Sequence, residues 1–301
     1  MKLTILGCYS ATPRTFSNPT SQVLEIGNHI FLIDCGEGTQ VELRKKKIKF
    51  SRIKHVFISH LHGDHFYGLV GLVSTFKMLG REAPLHIYGP KGIKEIITLQ
   101  LKLSDSWTDY PLHFHELSSL ESELIMEDER IEVSTIPLQH RVYCNGFLFK
   151  EKPGDRKLIL SKVLNYDIDK AYYNSIKKGK DVVMDDGRVI ANEELTTDPT
   201  PIKSYAFCSD TKYDEKKVPL LNQVTALYHE STFLEKHKHL CERTGHSSAK
   251  EAATIAKKAS IGTLILGHYS TRYDSVELFK EEAKEIFENV EVAEDGKEFE
   301  F

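Results

Sequence analysis

At 301 residues and 40% hydrophobic side chains, the chain is long enough to bury a full core. Its formal net charge of -4 excludes a protein that coats polyanions with its whole surface, so any nucleic-acid contact has to be local. The five cysteines, Cys8, Cys35, Cys144, Cys208 and Cys241, are widely spaced and form no Cys-x-x-Cys pair, which argues against a disulfide framework or a zinc knuckle and suits a reducing cytosol.

The opening Met1-Lys2-Leu3-Thr4-Ile5-Leu6-Gly7 is too short for a signal peptide, and no apolar run reaches membrane length, so a cytoplasmic protein without a membrane partner is expected. Residues 3–6, 23–26 and 29–33 read as strands, with Gly27-Asn28 as a hairpin turn between the last two. Asp34-Cys35-Gly36-Glu37-Gly38 then turns the chain into a short helix that ends in Arg44-Lys45-Lys46-Lys47. That basic run, continued by Lys49, Arg52 and Lys54, suits either a phosphate contact or a solvated helix end complementing the dipole. Asp34 and Glu37 serve either the loop or the orientation of nearby metal-ligating histidines.

After the apolar run Val56-Phe57-Ile58 come Ser59-His60-Leu61-His62-Gly63-Asp64-His65, which place three imidazoles and a carboxylate within six residues at a strand end. Neutral imidazole and carboxylate suit zinc, and a strand end holds them rigidly. Leu69, Leu72, Val73, Phe76 and Leu79 follow at helical spacing, so one helix is expected over 66–79. A strand at 85–88, a helix at 93–103 and strands at 113–117 and 131–138 continue a mixed α/β order. His86, His113 and His115 read as ordinary strand histidines.

The strand over 131–138 runs into Gln139-His140, and 144–150 is its hairpin partner. Residues 151–203, rich in Lys, Asp, Tyr and Gly, read as an arm inserted into one domain spanning 1–301, with too few large apolar residues to hold a core alone. Strands then end at Ser209-Asp210, at His229-Glu230-Ser231-Thr232 and at Gly267-His268. Thr244-Gly245-His246-Ser247-Ser248 precedes a helix over 249–259, in which Ser248 and Glu251 have capping-box spacing, and a last helix is expected over 275–289.

Collected from strand ends, His60, His62, Asp64, His65, His140, Asp210 and His268 are enough for two metals. His60, His62 and His140 can hold one zinc, Asp64, His65 and His268 the other, and Asp210 can bridge. A phosphodiester is a matching target, since its non-bridging oxygens bind such ions while a water attacks in line.

The His-x-His-x-Asp-His stretch between strand and helix, with later His, Asp and His at strand ends, resembles the metallo-β-lactamase superfamily. Within it, His229-Glu230-Ser231-Thr232 and Thr244-Gly245-His246-Ser247-Ser248 are similar to the His-Glu-Ala-Thr and Thr-Gly-His-Ser motifs of the ribonuclease Z family. The resemblance covers essentially the full length. It implies an αββα sandwich of two packed mixed sheets flanked by helices, two zinc ions per subunit, and removal of 3′ trailers from precursor tRNA. It further implies Asp64 as proton acceptor, His246 and Glu230 serving the leaving oxygen, a homodimer, and an arm at 151–203 that grips tRNA as an exosite.

Two departures from the family pattern stand out. The arm has Asp169–Gly179 where many members carry a Gly-Pro stretch, although Lys177, Lys178 and Lys180 can still neutralise phosphates. Pro13-Arg14-Thr15-Phe16-Ser17-Asn18 lacks the basic residues of the family's Pro-x-Lys-x-Arg region, so discrimination at the trailer end is expected to differ. The competing readings are a phosphodiesterase or thioester hydrolase of the same superfamily acting on small molecules, a redox di-iron protein, and a catalytically inactive RNA-binding scaffold. His62 disfavours the iron branch, where a carboxylate usually stands, and the complete ligand set disfavours the scaffold.

Overall fold

The computed structural model describes all residues except Pro13, Arg14 and Phe16. The comparison of residues 13–18 with the Pro-x-Lys-x-Arg region therefore rests on a segment partly outside the described residues. Two compact units are present, one of Met1–Glu127, Glu132–Lys150 and Lys203–Phe301, the other of Asp128–Ile131 and Glu151–Ile202.

The larger unit is a sandwich of two seven-stranded mixed sheets. Its strands are β1 (Lys2–Gly7), β2 (Ser21–Ile26), β3 (His29–Ile33), β4 (Ile53–Phe57), β5 (Leu85–Pro90), β6 (Leu112–Leu117), β7 (Leu124–Glu127), β8 (Ile131–Leu138), β9 (Cys144–Glu151), β10 (Ser204–Cys208), β11 (Ala226–Glu230), β12 (Thr263–Gly267), β13 (Val290–Val292) and β14 (Glu298–Glu300). The first sheet runs β14-β1-β2-β3-β4-β5-β6 and the second β13-β12-β11-β10-β9-β8-β7. Its helices are α1 (Thr39–Lys45), α2 (Gly63–Phe66), α3 (Leu69–Met78), α4 (Ile93–Leu103), α5 (Val218–Leu221), α6 (Cys241–Thr244), α7 (Ala249–Lys258) and α8 (Glu277–Lys284).

Both faces of the first sheet are covered, which is why its strands are apolar on successive residues rather than on alternate ones. In β3, Ile30 and Leu32 join Val56 and Ile87 in the cluster that buries Leu43 of α1, Leu72 and Phe76 of α3, and Ile97 of α4. The opposite face meets the second sheet through Phe31 against Phe149, with ring centroids 5.2 Å apart, and Phe57 against Phe147 at 5.3 Å. Strands β3 to β6 are parallel, as are β10 to β13. Their carboxyl ends carry the loops where His60, Asp210 and His268 sit, and open α/β sheets place ligands at such ends.

Four local expectations are corrected. The helix over 66–79 is two helices, because Gly68 N donates to Cys35 O and ties the break to the loop after β3. A Cβ on Gly68 would lie 2.1 Å from Gly36 O, so only glycine allows this approach. The strand expected to stop at His229-Glu230-Ser231-Thr232 runs on through Glu230, so His229 and Glu230 lie inside β11 and are fully buried. The edge strand β7, mostly exposed, carries no strong alternation and was not expected. The basic run after α1 is partly spent locally, Lys45 on Glu42 at 2.6 Å and Lys46 on the carbonyl of Gly296 at 2.6 Å.

The smaller unit has a core of its own, contrary to the expectation from its composition. Val163, Ile168, Ile176, Val182, Ile190 and Leu195 are buried together, with Leu158, Tyr166, Tyr173 and Met184 packed on them. Buried Asn192 replaces larger apolar contacts by donating to the carbonyls of Ile176 and Lys180 at 2.7 and 3.0 Å and accepting from Thr196 at 2.9 Å. Lys178 and Lys180 are exposed on it and Lys177 is half-buried.

Candidate metal centre

The first side chain of the site is Asp34, which follows β3 in the left-handed region at φ 55. Its Oδ1 accepts from Ser59 N at 2.8 Å, and its Oδ2 accepts from Ser59 Oγ at 2.9 Å and from His65 Nδ1 at 2.6 Å. Cys35 N also donates to His65 O at 2.7 Å, so the loop after β3 fixes the loop after β4. Asp210 and His268 share the left-handed backbone, at φ 53 and 58. Non-glycine residues adopt it at a cost, and such strain concentrates at functional sites.

The predicted ligands converge in two groups. His60 Nε2 lies 2.9 Å from His62 Nδ1, His140 Nε2 lies 3.3 Å from the same atom, and both Nε2 atoms stand 3.7 Å from Asp210 Oδ2. Asp64 Oδ2 lies 3.3 Å from His65 Nε2 and 3.8 Å from His268 Nε2. These two nitrogens lie 3.2 and 3.0 Å from Asp210 Oδ1. One oxygen of Asp210 thus faces each group, which is the geometry of a bridging carboxylate.

The far nitrogen of most of these imidazoles is already committed. His65 Nδ1 is held by Asp34, His140 Nδ1 by the carbonyl of Gly245 at 2.8 Å, and His268 Nδ1 meets Thr232 Oγ1 at 2.9 Å. His60 Nδ1 meets Ser59 Oγ at 3.1 Å. Such outer contacts select the tautomer whose Nε2 lone pair points inward. Gly245, at φ 78, is required here, since a Cβ would lie 2.8 Å from His140 Nδ1.

The donor set fits a divalent metal on two grounds. The Nε2 atoms of His65 and His268 are buried without a hydrogen bond of good geometry inside the protein, which is costly unless something else binds them. Asp34, Asp64 and Asp210 are also buried, and their ion pairs are with histidines, so the centre gathers negative charge that a cation would offset. Burial raises the carboxyl of Asp210, but the surrounding imidazoles, His268 first, outweigh it and hold the group well below its ordinary range.

Beside the ligands, His246 Nδ1 lies 2.9 Å from Glu230 Oε1, and its ring stacks on His268 with centroids 5.2 Å apart. Glu230 is fixed by Thr211 N at 2.9 Å, Thr232 N at 3.0 Å and Thr232 Oγ1 at 2.8 Å. Burial pushes the Glu230 carboxyl up, yet the facing imidazole of His246 prevails and holds it at about 2. Burial likewise lowers His246, and the Glu230 carboxylate overrides this to raise it to about 9. With Nδ1 committed, Nε2 is the nitrogen left to meet a substrate.

All nine residues expected at a site, including Glu230 and His246, lie in this region. Of the two ambiguous acids, Asp34 supports His65 and Glu37 is exposed. Thr232, Ser59 and Gly245 were not singled out as supports, although each sits inside a recognised motif. Buried Lys217 was also missed; its Nζ lies 3.2 Å from Thr211 Oγ1 and 3.3 Å from His229 Nε2. His229 itself donates Nδ1–H to the carbonyl of Glu230 at 2.7 Å and serves structure. The strand histidines lie elsewhere, His86 stacked on His55, His113 and His115.

Three comparisons bear on this centre. A family described as Anti-Pycsar protein Apyc1 matches residues 1–197, a span that ends before Asp210, Glu230, His246 and His268. Proteins named ribonuclease Z match nearly throughout. That of Bacteroides fragilis is 44% identical over 98% of this chain and 97% of its own length, and that of Cytophaga hutchinsonii 46% identical over 99% and 95%. Among solved structures, human tRNase Z, short form, superposes with a TM-score of 0.72 at 26% identity, covering 100% of this chain and 99% of its own. The metallo-β-lactamase fold protein YhfI of Bacillus subtilis superposes with a TM-score of 0.69 at 18% identity, over 99% and 98%, which speaks for the fold alone.

Proposed function

The chain belongs to the ribonuclease Z family and, over residues 1–197, to the family described as Anti-Pycsar protein Apyc1; we propose that its two ligand groups each hold a zinc ion. As a member it is a tRNA 3′-processing endonuclease of the metallo-β-lactamase fold. His60, His62, His140 and Asp210 would hold one ion, and Asp64, His65, His268 and Asp210 the other. Such a pair supplies charge for the phosphoryl oxygens and a water acidic enough to attack near neutral pH.

The chain's own groups then divide the proton work. Asp64 accepts a proton from the attacking water. His246, oriented by Glu230, delivers a proton from Nε2 to the tRNA 3′ oxygen as its bond to phosphorus breaks, leaving a 3′-hydroxyl on the tRNA and a 5′-phosphate on the trailer. The residues of 151–202, with Lys177, Lys178 and Lys180, serve as the exosite that positions tRNA by its phosphates without reading sequence. The working form is a cytoplasmic homodimer.

The observation that carries the metal assignment is the division of Asp210, with Oδ2 towards His60 and His140 and Oδ1 towards His65 and His268. The test is incubation of the zinc-loaded protein with a precursor tRNA bearing a 3′ trailer, with both product ends mapped and Asp64→Ala as control. One cut after the discriminator base, lost in the control, is expected. Zinc-dependent hydrolysis of a small phosphodiester or thioester with no cut in the precursor would instead support the small-molecule reading.

A further inference from the structure

A groove of about 800 Å³ opens from His140 along β8, β9 and the loop after β6. Its walls include Leu120, Pro137, Leu138 and Val142, and Lys216 stands exposed at its edge. Leu120 is 81% and Val142 42% exposed, although both are large apolar side chains beside a polar centre. At the base of the groove lies Asn145, which is 1% exposed and whose Oδ1 is buried with no partner.

The orientation of that amide is fixed. Its Nδ2 donates to Tyr143 Oη at 2.8 Å, and Tyr143 Oη spends its own proton on the carbonyl of Ser119 at 2.9 Å. Turning the amide over would set its oxygen against an acceptor and so gain nothing. An unmatched buried carbonyl is costly, and an incoming N–H would satisfy it.

We propose that this groove binds the base of a nucleotide flanking the scissile phosphate. The inference rests on the nuclease reading above and deepens it. Apolar walls take the faces of any base, the buried and unmatched Oδ1 of Asn145 reads an amino or imino N–H on its edge, and Lys216, among the polar residues Glu121, Gln139 and Asp214 that also line the groove, meets the neighbouring phosphate. His140 belongs both to the ligand group and to the groove, so a phosphodiester held at the centre has its next base within reach of these walls. The groove thus positions the strand in register with the cut. Because one acceptor cannot tell all four bases apart, it gives a preference rather than a strict sequence.

The test pairs protein and substrate changes. Leu120→Ala/Val142→Ala, two exposed positions, is compared with the unaltered protein on precursor tRNA that is intact or lacks the base immediately 5′ or immediately 3′ of the cut. The expected result is a fall in kcat/KM on the order of tenfold on intact precursor, shrinking to under about twofold on one of the two abasic substrates. Asn145→Ala, with its fold checked by thermal melting, is expected to reduce the difference between bases at that same position. Equal cleavage of intact precursor by variant and parent, or a loss that persists on both abasic substrates, would overturn the groove assignment while leaving the nuclease intact. Failure of the unaltered protein to cut intact precursor would instead overturn the nuclease reading, and this inference with it.

Discussion

Replacing Asp34 by Asn removes one formal charge and no volume, yet either orientation of the new amide meets a donor. With Nδ2 in the place of Oδ1, it faces Ser59 N–H, which donates there at 2.8 Å; the interior then holds two opposed donors, at a cost of about 1 to 3 kcal/mol. With Nδ2 in the place of Oδ2, it faces His65 Nδ1 at 2.6 Å and forces that nitrogen to accept. The imidazole proton then moves to Nε2, the atom that faces Asp64 and Asp210 and must be bare to bind a cation. Loss of such an outer partner typically weakens metal binding roughly 10- to 100-fold. Competition with a zinc chelator reads the second outcome and thermal melting the first. Asp34→Asn with both zinc affinity and melting temperature unchanged would refute the argument that Asp34 sets the tautomer of His65.

Four further outcomes are expected. His246→Ala retains its zinc and loses roughly a hundred- to ten-thousandfold in cleavage rate, since a proton donor to an alkoxide is gone; a near-parental rate in single-turnover assays would make His246 structural. Gly245→Ala puts a Cβ 2.8 Å from His140 Nδ1 and is expected to lower zinc affinity, which chelator competition reports; unchanged affinity would mean that the loop can yield. Replacing residues 152–202 by a short Gly/Ser turn is feasible because Lys150 and Ser204 are paired in register, and it is expected to spare a small phosphodiester while weakening precursor cleavage. Equal losses on both substrates would count against an exosite. Burial first, then His86 and His29, pulls His55 down to about 4, so its proton binds more readily in the unfolded chain. Its contribution is neutral above pH 6.5 and destabilises as pH falls from 6.5 towards 4, by about 2 to 3 kcal/mol at most. Denaturant unfolding at pH 7 and pH 5 should therefore show a smaller acid loss in His55→Phe than in the parent, and equal losses would clear His55.

The legible part of the site is the part made of residues that chemistry rarely places together by chance. Three imidazoles and a carboxylate in residues 60–65 announce a metal, and lone His140, Asp210 and His268 gain meaning only because each stands where a strand stops. What holds these ligands was less legible. Thr232 and Ser59 are common residues whose role comes from a contact 36 residues away in one case and 25 in the other. Lys217 reads as one more surface lysine in a charged stretch, and only the fold buries it against Thr211 and His229. In the fold, period and apolar runs found most strands, whereas β7 escaped because an exposed edge strand needs no alternation. The core around Val163 and Ile176 escaped because six scattered apolar residues become a cluster only when a buried Asn192 ties their backbone together.

The central claim is that one carboxylate joins two ligand groups into a single two-metal centre. It is tested most directly by counting zinc per chain in the purified protein and in Asp210→Ala, with His140→Ala and His268→Ala alongside. Two ions in the parent, one in each histidine variant and neither held firmly in Asp210→Ala is the predicted result. One ion in the parent, or two retained in Asp210→Ala, would contradict it.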